Sequence, residues 1–169
     1  LFIIALARPV EEHAESETTV EGVDIVLALD ISGSMLAQDF KPNRLEASKS
    51  IASEFVADRE GDRLSVVAFA GEAFTQCPLT SDRGAVQTSI ARLRSGVIDD
   101  GTAIGNGLAT AINRLRESGA KSKVVVLVTD GVNNSGQISP RMAADIARDL
   151  GIKVYTIGVG RRGQAPMPA

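Results

Sequence analysis

The sequence predicts an α/β fold in which a doubly wound, mainly parallel sheet is flanked by helices. Apolar segments of strand length alternate with amphipathic segments of helical period, which is the pattern of β-α-β units. The 169 residues are 44% hydrophobic but only 4% aromatic, so the core is built from aliphatic side chains. This length suits one domain of roughly 100–200 residues. The net charge of −3 and the scarcity of aromatic side chains disfavour a nucleic-acid-binding protein.

Five segments have the character of strands. Four of them are continuous apolar runs, as expected for strands that are buried on both faces of a parallel sheet. These runs span residues 23–29, 64–69, 123–129 and 152–157. The fifth segment, residues 74–79, contains Pro78. Because proline cannot donate a ladder hydrogen bond, this segment is predicted to be an edge strand.

Capping residues predict where the helices between these strands begin. The predicted helix starts are Asn43, Ser81, Thr102 and Ser139. Asn43 is followed three residues later by Glu46, which is a capping pattern. Ser139 is followed by Pro140, a residue that is favoured at the first helical position.

The two ends of the chain differ in composition from its regular part. Residues 1–9 begin with an apolar run that is too short for the roughly 20 residues of a membrane span. We interpret this run as the stub of a transmembrane helix. Residues 10–21 carry five glutamates and are predicted to be an acidic linker. The predicted domain spans residues 22–160, and residues 161–169 are predicted to be a mobile tail.

The single cysteine and the single histidine restrict the possible chemistry. Cys77 cannot form an internal disulfide, and one cysteine excludes a cysteine-based zinc site. His13 lies in the acidic linker, whereas a Ser-His-Asp mechanism needs a histidine that the fold holds in place. Hydrolase chemistry of that type is therefore disfavoured, and a site built from oxygen donors is the natural alternative.

Oxygen-bearing side chains follow the strands at the edge where parallel sheets place their binding sites. Asp30 ends the first strand, and Ser32 and Ser34 follow it at alternate positions, which in an extended loop directs all three to one side. Asp130 follows the most apolar strand, and Thr102 follows an acidic turn. Two carboxylates and three hydroxyls form a donor set that suits Mg²⁺.

Each of these motifs also has a purely structural interpretation. Ser32 and Ser34 are typical of a turn that leads into a helix. Thr102 alone is more typical of a helix N-cap than of a metal ligand. The metal-site interpretation depends on the combination of all the motifs at one edge of the sheet.

The order and spacing of these residues resemble the metal-ion-dependent adhesion site (MIDAS) of von Willebrand factor A (vWA) domains. The resemblance implies that Ser32, Ser34 and Thr102 are hydroxyl ligands of Mg²⁺, with Mn²⁺ or Ca²⁺ as substitutes. It implies that Asp30 and Asp130 bind the cation directly or through water. It also implies a non-enzymatic interaction module, in which an Asp or Glu of a partner protein fills the open position on the metal.

The resemblance covers about residues 22–160, and the segments 79–82 and 101–108 resemble the bacterial aerotolerance (Bat) branch of the family. That branch implies a protein anchored in the bacterial inner membrane by flanking helices, with the domain on the periplasmic side and other membrane-complex subunits as partners. The family domain usually continues after the strand at 152–157 with another strand and a closing helix. We therefore expect these C-terminal elements to be missing here and the sheet to have an exposed edge.

Two other functions are weighed against this interpretation. A phosphotransfer or phosphatase enzyme of the α/β class would use Asp30 as its nucleophile, but Ser32 stands where a dehalogenase-type site has a second acid. Nucleotide binding is suggested by the glycines in Gly105-Asn106-Gly107, but this segment does not follow the first strand. We prefer a structural role for these glycines, in which they permit a tight start of a helix.

Overall fold

The computed structural model describes residues 21–160 and residue 167, and it contains one five-stranded sheet. The strands are β1 (Asp24–Asp30), β2 (Arg63–Phe69), β3 (Ala73–Thr80), β4 (Lys123–Thr129) and β5 (Lys153–Gly158). Their spatial order is β3-β2-β1-β4-β5, and every pair is parallel except β2 with β3. The predicted fold class is confirmed, and β3 is an edge strand, as Pro78 indicated.

Four helices cover the two faces of the sheet. They are α1 (Arg44–Ala57), α2 (Arg83–Ala91), α3 (Ile104–Arg116) and α4 (Pro140–Asp149). Alternation along β1 divides the core: Ile25 and Leu27 belong to the cluster that contains the buried residues of α1 and α2. Val26 and Ala28 belong to the cluster on the opposite face, with α3 and α4. Because both faces of β1 are buried, the strand has no polar side chain between Asp24 and Asp30.

Two of the four predicted helix caps are confirmed. The side chain of Asn43 accepts a hydrogen bond from the Glu46 N–H at 2.9 Å, and α1 begins at the next residue. The Ser139 hydroxyl accepts a hydrogen bond from the Met142 N–H at 3.1 Å and caps α4. Both helices therefore begin where local sequence alone places them.

The other two predicted caps are wrong by one residue. Asp82, not Ser81, caps α2, because its carboxylate accepts the Ala85 N–H at 3.0 Å. The N-cap of α3 is Ala103, which makes no side-chain capping bond, so Thr102 lies before the helix and does not cap it. The physical reason is that the backbone of Thr102 is bonded to another loop, as described below.

The sheet face beside α1 is open over β4 and β5. An apolar groove of about 630 Å³ lies there, with Tyr155 and Ile157 of β5 56% and 44% exposed. In residues 21–160, β5 is the last strand and forms an edge of the sheet. None of the helices in this described part of the chain is long and apolar enough to cross a membrane.

Most of the predictions for the chain ends lie outside the described residues. These are the transmembrane stub at 1–9, the acidic linker at 10–21 except for Glu21, and the tail at 161–169 except for Met167. His13, which was placed in the linker, also lies there. The predicted domain at 22–160 falls entirely within the described part of the chain.

Candidate metal centre

The candidate site lies where the direction of the chain connections reverses. Asp30 ends β1 and Asp130 directly follows β4, and these two strands are parallel neighbours in the middle of the sheet. The chain leaves β1 toward α1 on one face and leaves β4 toward α4 on the other. Because the two loops diverge, they leave a crevice at the carboxyl ends of the strands, which is where open α/β sheets bind ligands.

A chain of hydrogen bonds connects four of the five predicted site residues. Asp30 Oδ1 accepts the Ser32 N–H at 2.9 Å, and Asp30 Oδ2 accepts the Thr129 hydroxyl at 2.6 Å. The hydroxyl oxygens of Ser32 and Ser34 lie 3.0 Å apart. The Ser34 hydroxyl donates to Asp130 Oδ1 at 2.8 Å. Since a hydroxyl has one proton, Ser32 is the donor to Ser34 in this arrangement.

The alternation argument predicted an extended loop at the two serines, and this prediction is wrong. Residues Gly33–Leu36 form a short 3-10 helix, and the Met35 N–H donates to the Ser32 carbonyl at 3.0 Å. The turn still brings the Ser32 and Ser34 hydroxyls together. It also leaves Ser34 exposed while Ser32 is only 2% exposed, so the site opens to solvent on the Ser34 side.

Thr102 is fixed at the same rim by the loop that follows β4. The Thr102 N–H donates to the Asn134 side-chain oxygen at 2.8 Å, and the Asn134 N–H donates to the Thr102 carbonyl at 3.0 Å. A Cβ atom on Gly131 would lie 3.3 Å from the Thr102 hydroxyl oxygen. Thr102 therefore lies beside the segment that begins with Asp130, and the structure brings all five predicted residues to one rim.

Asp30 is a buried carboxylate with neutral hydrogen-bond partners. Its residue is 0% exposed, and no Lys or Arg of the described residues forms an ion pair with it. Burial raises the pKa of Asp30, while hydrogen bonds from Ser32 and Thr129 oppose the rise. A buried charge is costly unless it is paired or coordinates a metal. A bound cation would supply the missing positive charge.

The donor chemistry fits a small hard cation. Two carboxylates and three hydroxyls lie at this rim, all of them oxygen donors of the kind that Mg²⁺ accepts. Within residues 21–160, no group of three or more His, Cys, Asp or Glu side chains is arranged to hold a metal ion. Any cation at this rim would therefore depend on Ser32, Ser34 and Thr102 as well as on the two aspartates.

Arg44 is a site residue that the sequence prediction missed. Its Nη1 donates to Asp130 Oδ2 at 2.6 Å, and its Nε and Nη2 donate to the two oxygens of Asp39 at 2.7 and 2.9 Å. These carboxylates, Asp39 first, raise the pKa of Arg44. Its position at the start of α1, 86 residues from Asp130, gives no local signal of this contact.

Asp100 is a second residue that the sequence prediction missed. Its Oδ1 accepts the Gly33 N–H at 2.8 Å and so ties the serine loop to the loop before Thr102. A Cβ atom on Gly33 would lie 2.9 Å from Asp100 Oδ2, so glycine is needed for this close approach. Hydrogen bonds from the Gly33 and Gly101 N–H groups hold the pKa of Asp100 below its ordinary value of 3.8.

Replacing Asp100 with Asn should destabilise the domain at pH 7 and have progressively less effect in acid. A carboxylate with a lowered pKa stabilises the folded state fully above its unfolded pKa, and this contribution is lost as the pH falls through the folded pKa. Because Asp100 is exposed, we expect the substitution to lower the free energy of unfolding at pH 7 by less than about 1 kcal/mol. Urea unfolding at pH 7 and pH 3 measures the difference, with Asp99→Asn as the matched control. If the difference in unfolding free energy between Asp100→Asn and wild type were the same at pH 7 and pH 3, the Asp100 carboxylate would not be its source.

The fold and the rim define a doubly wound α/β domain with an oxygen-donor site at its switch point. The family model of the von Willebrand factor type A domain matches residues 24–168. The chain therefore belongs to the von Willebrand factor type A domain family. An uncharacterized protein of Borreliella burgdorferi is 36% identical over 161 residues, which is 95% of this chain and 47% of that protein. The chain thus spans about half the length of this relative.

Solved structures with the same fold include bacterial membrane proteins. An aerotolerance-related membrane protein from Bacteroides fragilis superposes with a TM-score of 0.82 at 38% identity, over 88% of this chain and 73% of that chain. The conserved hypothetical protein BatB from Bacteroides thetaiotaomicron gives a TM-score of 0.82 at 38% identity, over 88% of this chain and 72% of that chain. Proximal thread matrix protein 1 from the mussel byssus, with a zinc-occupied MIDAS motif, superposes with a TM-score of 0.72 at 30% identity, over 83% of this chain and 36% of that chain.

Proposed function

We propose that this domain binds a divalent cation, Mg²⁺ in the cell, and uses it to hold an Asp or Glu of a partner protein. Ser32, Ser34 and Thr102 would be the hydroxyl ligands, and Asp30 and Asp130 would bind the cation directly or through water. Mn²⁺ or Ca²⁺ would substitute in vitro. The observation that carries the proposal is the buried Asp30 carboxylate, which is 0% exposed and has hydrogen-bond partners that are all neutral.

The donor set explains why such a cation would attract a further carboxylate. Hydroxyl ligands are neutral, so Ser32, Ser34 and Thr102 would cancel none of the cation's charge. A bound divalent cation supplies an electron-poor centre that prefers oxygen anions. Because Ser34 is exposed, the free position would be reached from the solvent side. The role of the protein side chains is to position the cation, and the surrounding loops would select the partner.

We propose a non-enzymatic role, because Asp30 is badly placed to act as a nucleophile. Both of its carboxylate oxygens accept hydrogen bonds from the protein, and the residue is fully buried. A phosphate donor would have to displace these contacts to reach it. Incubation with acetyl phosphate and Mg²⁺ distinguishes the two functions, since a stable phosphoadduct on Asp30 would favour a phosphotransfer enzyme.

We further propose that the domain belongs to a protein of the bacterial inner membrane. Two of the similar solved structures are an aerotolerance-related membrane protein and BatB. The domain would lie on the periplasmic side, anchored through flanking helices, and other subunits of a membrane complex would be its partners. No nucleic acid is expected at the site, because the rim that carries the donors is acidic.

Partner capture from detergent-solubilised membranes of the native bacterium should depend on Mg²⁺. The immobilised domain should retain its partner in Mg²⁺ and release it in EDTA, and Asp30→Asn should capture none. Mass spectrometry identifies the retained protein, and direct binding of the purified protein confirms it. Substitution of one exposed Asp or Glu of that partner by Ala should abolish binding. Equal capture by the wild type in Mg²⁺ and in EDTA would contradict the proposed function.

A further inference from the structure

Asp130 is held from two sides by different kinds of donor. Its Oδ1 accepts the Ser34 hydroxyl at 2.8 Å, and its Oδ2 accepts Arg44 Nη1 at 2.6 Å. The Asp130 side chain is 0% exposed, so both contacts are shielded from bulk solvent. One carboxylate oxygen thus faces the serine hydroxyls of the candidate centre, while the other faces a guanidinium group.

Arg44 is itself fixed in place. Its Nε and Nη2 bind both oxygens of Asp39, a bidentate geometry that orients the planar guanidinium. The side chains of Arg44 and Asp39 are only 12% and 7% exposed. The backbone at Gly160 also lies against the guanidinium, since a Cβ atom there would be 3.4 Å from Arg44 Cζ. Asp130 therefore faces a permanent, nearly immobile positive charge.

We propose that Arg44 is a positioning residue that keeps Asp130 in the outer coordination sphere of the bound cation. The inference rests on the proposed function. Oδ2 of Asp130 is bound to a fixed guanidinium, and Oδ1 accepts the hydroxyl of Ser34, which is itself a proposed metal ligand. The carboxylate is therefore held one hydrogen bond away from the cation. The guanidinium also cancels the charge that Asp130 would otherwise offer, and it repels a second cation nearby. The result is a cation that binds less tightly but keeps a free position for the partner's carboxylate.

A purely structural ion pair between Arg44 and Asp130 makes the opposite prediction. If Arg44 only supported the rim, its removal would loosen Asp130 and weaken metal binding. If Arg44 restrains and neutralises Asp130, its removal strengthens metal binding and lets Asp130 replace a metal-bound water. The sign of the change in metal affinity therefore separates the two roles.

The test uses Mn²⁺ alone as the probe, with EPR titration for affinity and water proton relaxation for the number of metal-bound waters. Arg44→Gln should bind Mn²⁺ about three- to tenfold more tightly than wild type and carry one water fewer. Arg44→Lys, which keeps the charge, should stay near wild type. Asp39→Asn should bind Mn²⁺ more weakly, because it leaves the positive charge of Arg44 less compensated.

Arg63→Gln is the matched control. Arg63 forms the corresponding ion pair with Asp24 at the opposite end of β1, so its loss should alter stability but not Mn²⁺ affinity. Urea unfolding in EDTA verifies that every variant is folded. If Arg44→Gln is not folded, Arg44→Lys decides: wild-type Mn²⁺ affinity in that variant would support the inference, and weaker binding would overturn it. Unchanged or weaker Mn²⁺ binding by folded Arg44→Gln, with normal wild-type binding, would overturn this inference alone. Failure of the wild type to bind Mn²⁺ would overturn the proposed function and the inference with it.

Discussion

Replacing Asp30 with Asn should lower the Mn²⁺ affinity of the domain by at least about 100-fold and change its metal-free stability by less than about 1 kcal/mol. The charge of Asp30 is what a cation would bind, and burial of that charge without a cation is costly. Asn has nearly the same shape and can still accept the Ser32 N–H. Calorimetric titration with Mn²⁺ and urea unfolding in EDTA measure the two quantities separately.

Asp24→Asn provides a control on the same strand. Asp24 is also buried, at 2% exposed, but it lies at the other end of β1, where it binds Arg63 and Ser118. Its substitution should destabilise the metal-free domain and leave Mn²⁺ affinity unchanged. The two variants thus separate metal binding from stability. Wild-type Mn²⁺ affinity in Asp30→Asn would rule out Asp30 as part of a metal site.

Replacing Gly105 with Ala should destabilise the domain by about 3 kcal/mol, although Ala is the better helix former by about 1 kcal/mol. A Cβ atom at residue 105 would lie 1.8 Å from the carbonyl oxygen of Ile138 and 2.6 Å from its carbonyl carbon. Because the obstacle is backbone, a side-chain rotation cannot relieve the clash, and α3 must move away from the loop before α4. Urea unfolding measures the change.

Gly119→Ala is the matched control for this effect. A Cβ atom at Gly119 would meet nothing within 4 Å, so the substitution should change stability by less than about 0.5 kcal/mol. If Gly105→Ala were as stable as Gly119→Ala, the close approach of α3 to the loop at Ile138 would be wrong. The position of Thr102, two residues before α3, would then also be in question.

The glycines of α3 have a packing role that replaces the nucleotide-binding interpretation. Gly105 lies against the Ile138 backbone, and a Cβ atom on Gly107 would lie 2.7 Å from the ring of Phe69. Phe69 ends β2 and is paired in register with Asp30. The small residues therefore let α3 approach the sheet directly beneath the candidate site, and the structural role preferred from the sequence agrees with the contacts.

The strands and the placement of the donors were predictable because they depend on local pattern. The apolar runs around β1 and β4 indicate buried parallel strands, and the carboxyl ends of such strands meet at one edge of the sheet. The placement of Asp30 and Asp130 at the same edge of the sheet follows from that rule alone. The caps at Asn43 and Ser139 were predictable for the same reason, because each depends on a bond within four residues.

Contacts between distant parts of the chain were not predictable. Arg44 reaches Asp130 across 86 residues and Asp100 reaches Gly33 across 67, and neither contact leaves a local pattern. The error at Thr102 has the same cause. Its N–H and carbonyl are bound by Asn134, 32 residues later, and this tertiary bond displaces the capping role that its side chain predicts.

The most direct test of the metal site is a crystal structure of the domain grown with Mn²⁺, measured for anomalous scattering. We expect one anomalous peak surrounded by the side-chain oxygens of Asp30, Ser32, Ser34, Thr102 and Asp130, and no peak there in Asp30→Asn crystals grown under the same conditions. Wild-type crystals without a peak at this rim, in Mn²⁺ well above the concentration that saturates the titration, would contradict the central claim.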